Sequence, residues 1–94
     1  MAKGALAFDD HFVPVPFRCL LWADEPVHER VRFEVATDVL KALGGGNPVH
    51  SDDNVALCER ERSRIEAACR NAFAEGPSPR ILVDVRHLLP GRQN

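Results

Sequence analysis

The chain has 94 residues, a formal net charge of −2 and 45% hydrophobic residues, which together describe one small globular domain. Its near-neutral charge gives no indication of an anionic partner such as nucleic acid or a lipid surface. The most apolar run, residues 13–23, holds two prolines and Arg18 and is too short to cross a membrane.

The N-terminal stretch carries weak signals. Residues 5–8 favour a short edge strand or loose chain, and the acidic pair Asp9-Asp10 is typical of a turn. Two prolines within residues 13–16 remove two backbone donors. This extended segment is therefore confined to a sheet edge or to the approach to a strand.

Two clearer strand patterns follow. Residues 17–22 are mostly apolar on both faces, which is typical of a strand covered on both sides or central in its sheet. In residues 30–35, Val31, Phe33 and Val35 alternate with charged residues, as in a half-buried strand. The polar turn 23–29 between them predicts an antiparallel hairpin.

Helical patterns occupy the middle of the chain. Thr37 is a good N-cap for a short helix over residues 38–43, and Gly44 ends it. The glycine-rich segment 44–51 predicts a mobile connection. The residues that follow predict a long helix over 54–75, which Gly76 and Pro77 end.

The last elements complete an α+β domain. Residues 80–85 predict a closing strand, followed by a turn or short helix over 87–89. The order β-β-α-α-β over residues 1–94 predicts a three- to four-stranded antiparallel sheet covered on one face by two helices, with loose termini.

The long helix places two charged residues on its apolar face. Cys58 and Cys69 share the core-facing arc, and Glu61 and Arg62 fall inside it. The Arg62 side chain has three interpretations. Its stem lies on the core edge with its head in water or paired with Glu66, or its head reaches an oxygen of another element, or it binds a ligand. We expect the stem to pack and the head to find an oxygen acceptor.

The same helix resembles a known family. Its pattern A-L-C-x-x-E-R-x-x-I-E-x-x-C, from Ala56 to Cys69, is similar to the F-x-x-N-R-x-x-I-E-x-x-A helix of the short bacterial family catalogued as domain of unknown function 1488. Segments 18–23, 32–40 and 81–88 resemble its strands and capped helix in the same order. The resemblance implies a small α+β domain and makes Arg62 a family feature, and it implies no activity or cofactor.

Three residues depart from the family pattern. Cys58 replaces an aromatic residue, Glu61 replaces an asparagine, and His87 stands where an acidic residue is usual.

The residue pattern favours no catalytic, cofactor or metal site. Cys58 and Cys69 are about 16 Å apart along a continuous helix, so they cannot share one zinc ion. The four histidines are scattered over predicted loops, and no serine lies in a nucleophile motif. The glycine run lacks the lysine of a phosphate-binding loop. We therefore expect no enzyme activity, cofactor or recognisable small-molecule ligand.

Two interaction hypotheses remain. Leu20 and Trp22, with Leu82, are expected on the uncovered sheet face, which favours a non-catalytic protein-interaction domain that self-associates or binds another protein. The alternative is a regulatory or nucleic-acid-associated protein that uses Arg60 and Arg64 on the outer face of the long helix. Three unpaired cysteines and the absence of a leader pattern favour a reducing cytoplasm, with no membrane contact.

Overall fold

The computed structural model describes residues 6–15, 18–44 and 51–88, the last range without the side chains of 51–53. Its elements follow in chain order: β1 (Ala7–Phe8), β2 (Val13–Val15), β3 (Arg18–Glu25), β4 (Glu29–Val35), α1 (Thr37–Ala42), α2 (Ser51–Arg60), α3 (Arg62–Glu75), β5 (Arg80–Val83) and a 3-10 helix (Val85–Leu88). The predicted α+β class is confirmed.

The strands form one sheet in the order β1-β3-β4-β5, with β2 also paired to β3. The expected hairpin is present: β3 and β4 are antiparallel, with Leu21 opposite Phe33. Both β1 and β2 run antiparallel to β3 along the same edge, so they act as one interrupted strand.

The closing strand differs from the all-antiparallel expectation. β5 runs parallel to β4, with Phe33 opposite Ile81 and Val35 opposite Val83. The chain leaves the end of β4, crosses one face of the sheet through the helices and returns in the direction of β4. A crossover of this length permits parallel pairing, which a tight turn would not.

The helices also depart in detail from the sequence pattern. α1 begins at Thr37, its N-cap is Ala36, and no side chain caps it, so the predicted Thr37 cap is wrong. The long helix begins at Ser51 and is divided at Glu61 into α2 and α3. The predicted mobile connection and loose termini lie almost wholly outside the described residues.

The two halves of the long helix cover different parts of the sheet. α2 packs on β2 and β3, whereas α3 packs on β5 and the 3-10 helix. Alternate residues of β3, β4 and β5 point into the core, as the period-two pattern predicted. The largest fully buried aliphatic and aromatic side chains come from strands and helices alike: Phe33, Leu21, Leu40, Ile65, Val31, Val35, Val39 and Val83.

Neighbouring alanines on α3 test which face of the helix meets the sheet. Ala68 is fully buried and Ala67 is exposed. Enlarging Ala68 to leucine forces extra methylenes into a close-packed core, so Ala68→Leu should lower the unfolding free energy by about 1–3 kcal/mol. Ala67→Leu is the matched control and should change it by less than about 0.5 kcal/mol. Urea denaturation followed by circular dichroism measures both, and equal effects would contradict this packing.

Candidate functional site

A wide bulge interrupts the edge strand formed by β1 and β2. Phe8 is opposite Ala23 and Val13 is opposite Leu20, so the four residues 9–12 face only the two residues 21–22. Residues in such a bulge lose part of their ladder pairing, and their backbone groups need other partners.

Arg62 supplies those partners. Its guanidinium donates to the carbonyl oxygen of Asp10 at 2.8 Å and to that of Asp9, and its Nε donates to Glu66 at 2.6 Å. The guanidinium carbon lies 5.4 Å from the ring centroid of Phe12, which is buried. The expectation that the head of Arg62 reaches an oxygen acceptor is confirmed, and the acceptors are backbone carbonyls of another element.

A second arginine repeats the arrangement two turns along α3. The guanidinium of Arg70 lies 5.1 Å from the ring centroid of Phe8, on the other side of the bulge. Glu66, between the two arginines on the helix, bonds Arg62 and lies 3.8 Å from Arg70. This row of alternating charges, which we call the α3 clamp (Arg62, Glu66 and Arg70), spans the bulge from Phe12 to Phe8.

Ion pairs also secure the outer side of the bulge. Arg30 donates to Asp9 and Asp24 at 2.9–3.0 Å, and its guanidinium lies 5.3 Å from the ring centroid of Trp22. The hydrogen bond from Arg30 lowers the pKa of Asp9 despite partial desolvation, and the charges of Arg30 and Arg62 act in the same direction. The carboxylate of Asp9 therefore stays charged and holds Arg30 over the indole.

The predicted apolar surface on the uncovered sheet face is present but divided. Leu20 and Trp22 are half-buried, and Leu82 is 54% exposed. Leu20 and Leu82 each lie opposite Glu34 on the central strand, and Glu34 pairs with Arg18. The structure thus places Leu20 and Leu82 in one row, separated by a charged residue.

The charge of the predicted basic face of the long helix is partly offset by one acidic side chain. Arg60 and Arg64 are exposed, as predicted. Both lie near Glu61, at 3.7 and 3.6 Å. These two arginines do not converge with Arg62, which faces the bulge on the inner side of the helix.

The three cysteines are free and buried. The hydrogen bond with Cys19, together with burial, raises the pKa of the Cys58 thiol, and burial raises the pKa of Cys69. These two thiols stay protonated and act as small core residues, as predicted. No local pattern indicated that Cys19 and Cys58, on different elements, would be neighbours.

A groove between the β3–β4 turn and α3 was not predicted. Its volume is about 650 Å³, within the usual range for ligand pockets. Its lining is Leu6, Glu25, Val27, His28, Arg70, Phe73, Ala74 and Pro77. The alternation of β3 could have indicated one of its residues, because Glu25 occupies the next inward-facing position after Cys19, Leu21 and Ala23.

Glu25 and His28 form a fixed acid–histidine pair in this groove. Glu25 Oε1 accepts hydrogen bonds from the backbone N–H of His28 and from its Nδ1, both at 2.7 Å. Burial of the carboxyl opposes its ionisation most strongly, but the hydrogen bonds from His28 and Val27 together lower the pKa of Glu25. The His28 ring packs edge-on against Phe73 at 5.9 Å.

Comparison with protein-family models, curated proteins and solved structures gives no match. Within residues 6–15, 18–44 and 51–88, no group of three or more His, Cys, Asp or Glu side chains could hold a metal ion. In the same ranges, no helix has the length and apolar character needed to span a bilayer.

The role of Arg62 can be measured by comparison with its neighbour Arg64. Lysine keeps the charge but cannot reach two carbonyls and Glu66 with one planar group. Arg62→Lys should therefore leave at least one bulge carbonyl unpaired and lower the unfolding free energy by about 1–3 kcal/mol. Arg64→Lys, which changes a solvent-exposed arginine with one loose ion pair, should cost less than about 0.5 kcal/mol. Equal urea midpoints for the two variants would contradict the bulge contact.

The Glu25–His28 pair predicts a stability change in acid. Because the pKa of Glu25 lies below its usual value of 4.5 in the folded chain, the unfolded carboxyl takes up a proton first as the pH falls. The stabilisation from Glu25 is thus complete above pH 4.5 and is lost as the pH falls through the lower folded pKa.

Glu25→Gln removes this titration. The difference in unfolding free energy between the wild type and this variant should shrink from about pH 6 to about pH 3. Glu29→Gln changes an exposed carboxylate of the same hairpin and serves as the control. A wild-type advantage over Glu25→Gln that stays constant across this range would show that the pair does not act in this way.

Proposed function

We propose that the protein is a non-catalytic interaction domain that self-associates through the open edge of β5. The observation that carries this proposal is the position of Leu82, which is 54% exposed in the middle of an edge strand. In the described parts of the chain, no strand lies beyond β5.

The backbone of Leu82 supports pairing at this edge. Arg32 N donates to Pro79 O and Ala36 N donates to Val83 O, which fixes the phase of the parallel ladder. In that phase Ile81 and Val83 direct their backbone groups to β4. The N–H and C=O of Leu82 therefore point to the open edge, where another strand can pair with them.

The edge is self-complementary for antiparallel pairing with a second copy. Centring a two-fold axis on Leu82 brings Leu82 opposite its equivalent and Arg80 opposite Asp84 of the other copy. Asp84 already uses Oδ1 to accept from the N–H of Val85, and its second oxygen can accept from Arg80. Two opposite-charge pairs then flank one leucine pair, an arrangement that stabilises cross-strand contacts.

Bonds within the chain centre the pairing on Leu82. The N–H of Asp84 donates to His87 Nδ1 at 2.8 Å and the N–H of Arg80 donates to Ser78 Oγ at 3.3 Å, so the backbone hydrogen bonds between two copies come mainly from the N–H and C=O of Leu82. A shallow groove of about 270 Å³ runs beside the strand, between the end of α3 and the 3-10 helix. Leu20 and Trp22 lie on the same sheet face but on β3, which β4 separates from this edge, so they stay outside the strand-to-strand contact.

The alternative, a nucleic-acid-associated protein using Arg60 and Arg64, has less support. Both arginines lie near the carboxylate of Glu61, which offsets part of their positive charge. A phosphate backbone is bound by clustered cations without acidic neighbours.

We also propose, from the three free buried cysteines, that the protein works in a reducing cytoplasm. Its membership of the family of domain of unknown function 1488 is likewise a proposal. The contact of Arg62 with the bulge supports it, because this arginine is the best-defined residue of the shared helix pattern.

Two charge-reversed variants test the β5 interface. Arg80→Glu should set two carboxylates against each other across the two-fold axis, and Asp84→Lys should set two cations against each other, so each variant alone should be monomeric. In a heterodimer of the two variants, the carboxylate introduced at position 80 faces the cation introduced at position 84, and the native Asp84 of one copy faces the native Arg80 of the other. Both pairs are of opposite charge, so an equimolar mixture should form a heterodimer. For the wild type we expect a Kd on the order of tens of micromolar, typical of a small interface. Sedimentation velocity measures all of these states.

Leu82→Lys provides an independent disruption, because a lysine on an edge strand disfavours pairing. Circular dichroism checks that each variant is folded, since Asp84→Lys also removes the hydrogen bond to Val85. A wild type that remains monomeric at millimolar concentration, or dimers that survive all three substitutions, would refute this interface.

A further inference from the structure

The groove beside the β3–β4 turn brings together an apolar wall and two polar groups of different character. Leu6, Phe73 and Pro77 contribute to the apolar wall. The polar groups are the guanidinium of Arg70 and the Nε2 atom of His28, whose Nδ1 is bonded to Glu25. The groove contains no residue of β5, so it is separate from the edge proposed for self-association.

Arg70 is available for an anionic ligand. Its side chain is 54% exposed, its guanidinium rests on Phe8, and its only ion pair, with Glu66, is long at 3.8 Å among the residues that the structure describes. Glu66 gives its closer bond to Arg62. The stacked guanidinium is therefore held in one orientation with donors free, which suits planar recognition of a carboxylate.

His28 offers an oriented acceptor. Because the carboxylate of Glu25 accepts from Nδ1, that nitrogen carries the proton and Nε2 of the neutral ring is an acceptor. No hydrogen-bond partner of Nε2 occurs in the described parts of the chain. The turn thus presents a fixed acceptor at a wall of the groove, as in sites where a carboxylate sets a histidine tautomer.

We propose that this groove binds a small organic carboxylate with an apolar body and a hydroxyl group. The carboxylate pairs with Arg70, the hydroxyl donates to His28 Nε2, and the apolar body lies against Phe73 and its aliphatic neighbours. The volume of about 650 Å³ accommodates a molecule with one aromatic ring. The lining that the structure describes has no serine, threonine or cysteine, so it offers the ligand no hydroxyl or thiol nucleophile.

The probe for this site is 4-hydroxyphenylacetate, titrated into the full ¹⁵N-labelled chain and followed by two-dimensional NMR. We expect saturable shifts confined to the amides of Val27, His28, Phe73 and Ala74, with a Kd on the order of 1 mM for a ligand of this size. The methyl ester, which lacks the charge, should bind at least about tenfold more weakly. Phenylacetate, which lacks the hydroxyl, should bind about fivefold more weakly.

Two arginines on α3 provide matched variants. Arg70→Gln should weaken binding of the probe by at least about tenfold. Arg64→Gln removes a charge of similar exposure that lies outside the groove lining and should leave the affinity unchanged. Ala74→Trp places an indole on an exposed groove wall and should block binding without disturbing the core.

Each of these measurements can overturn the proposal. Absence of saturable shifts up to about 10 mM would exclude this ligand class for the groove. Equal affinities of the Arg70→Gln and Arg64→Gln variants, or equal binding of the acid and its ester, would show that Arg70 does not recognise a carboxylate. Shifts that centre on β5 instead of the groove would place the binding elsewhere. None of these results depends on whether the chain self-associates.

Discussion

The contact of Arg62 with the bulged edge strand is the constraint on which the rest of the structure depends. The bulge leaves carbonyl oxygens of Asp9 and Asp10 without ladder partners, and unpaired backbone groups at an edge are costly when partly buried. One guanidinium satisfies both and lies over the ring of Phe12. A helix and a strand more than fifty residues apart in sequence are thereby held in one register.

This register determines what the rest of α3 meets. Arg70, two turns beyond Arg62, lies over Phe8, and Phe73 packs on Phe33 and on the ring of His28. The groove at the β3–β4 turn is formed by that same helical segment and therefore depends on the α3 clamp. A small domain buries a modest fraction of its surface, so well-placed polar contacts of this kind contribute to specifying one arrangement.

The sequence predicted the parts of this fold that follow from local periodicity. Two patterns predicted the core correctly: the alternation of Val31, Phe33 and Val35, and the apolar stripe of the long helix. The position of Arg62 among apolar residues of that stripe indicated that its side chain contacts another element. The direction of β5 and the bulge could not be predicted in this way, because both depend on contacts distant in sequence. His28 lies in the β3–β4 turn, in agreement with its prediction as a loop residue. The groove was not predicted because it forms only where this turn meets α3, a contact distant in sequence, although Glu25 continues the inward-facing alternation of β3.

The two edges of the sheet are unequal, and this bears on how copies of the chain would meet. The β1–β2 edge is bulged and contains Pro14, and the carbonyl oxygens of Asp9 and Asp10 in the bulge accept hydrogen bonds from Arg62. All three features disfavour pairing with another strand. The β5 edge, with the sequence RILV, has neither proline nor lysine, and its central leucine has outward backbone groups. Association that uses the same single edge on both partners closes after two copies, because each dimer then presents only protected edges to a third.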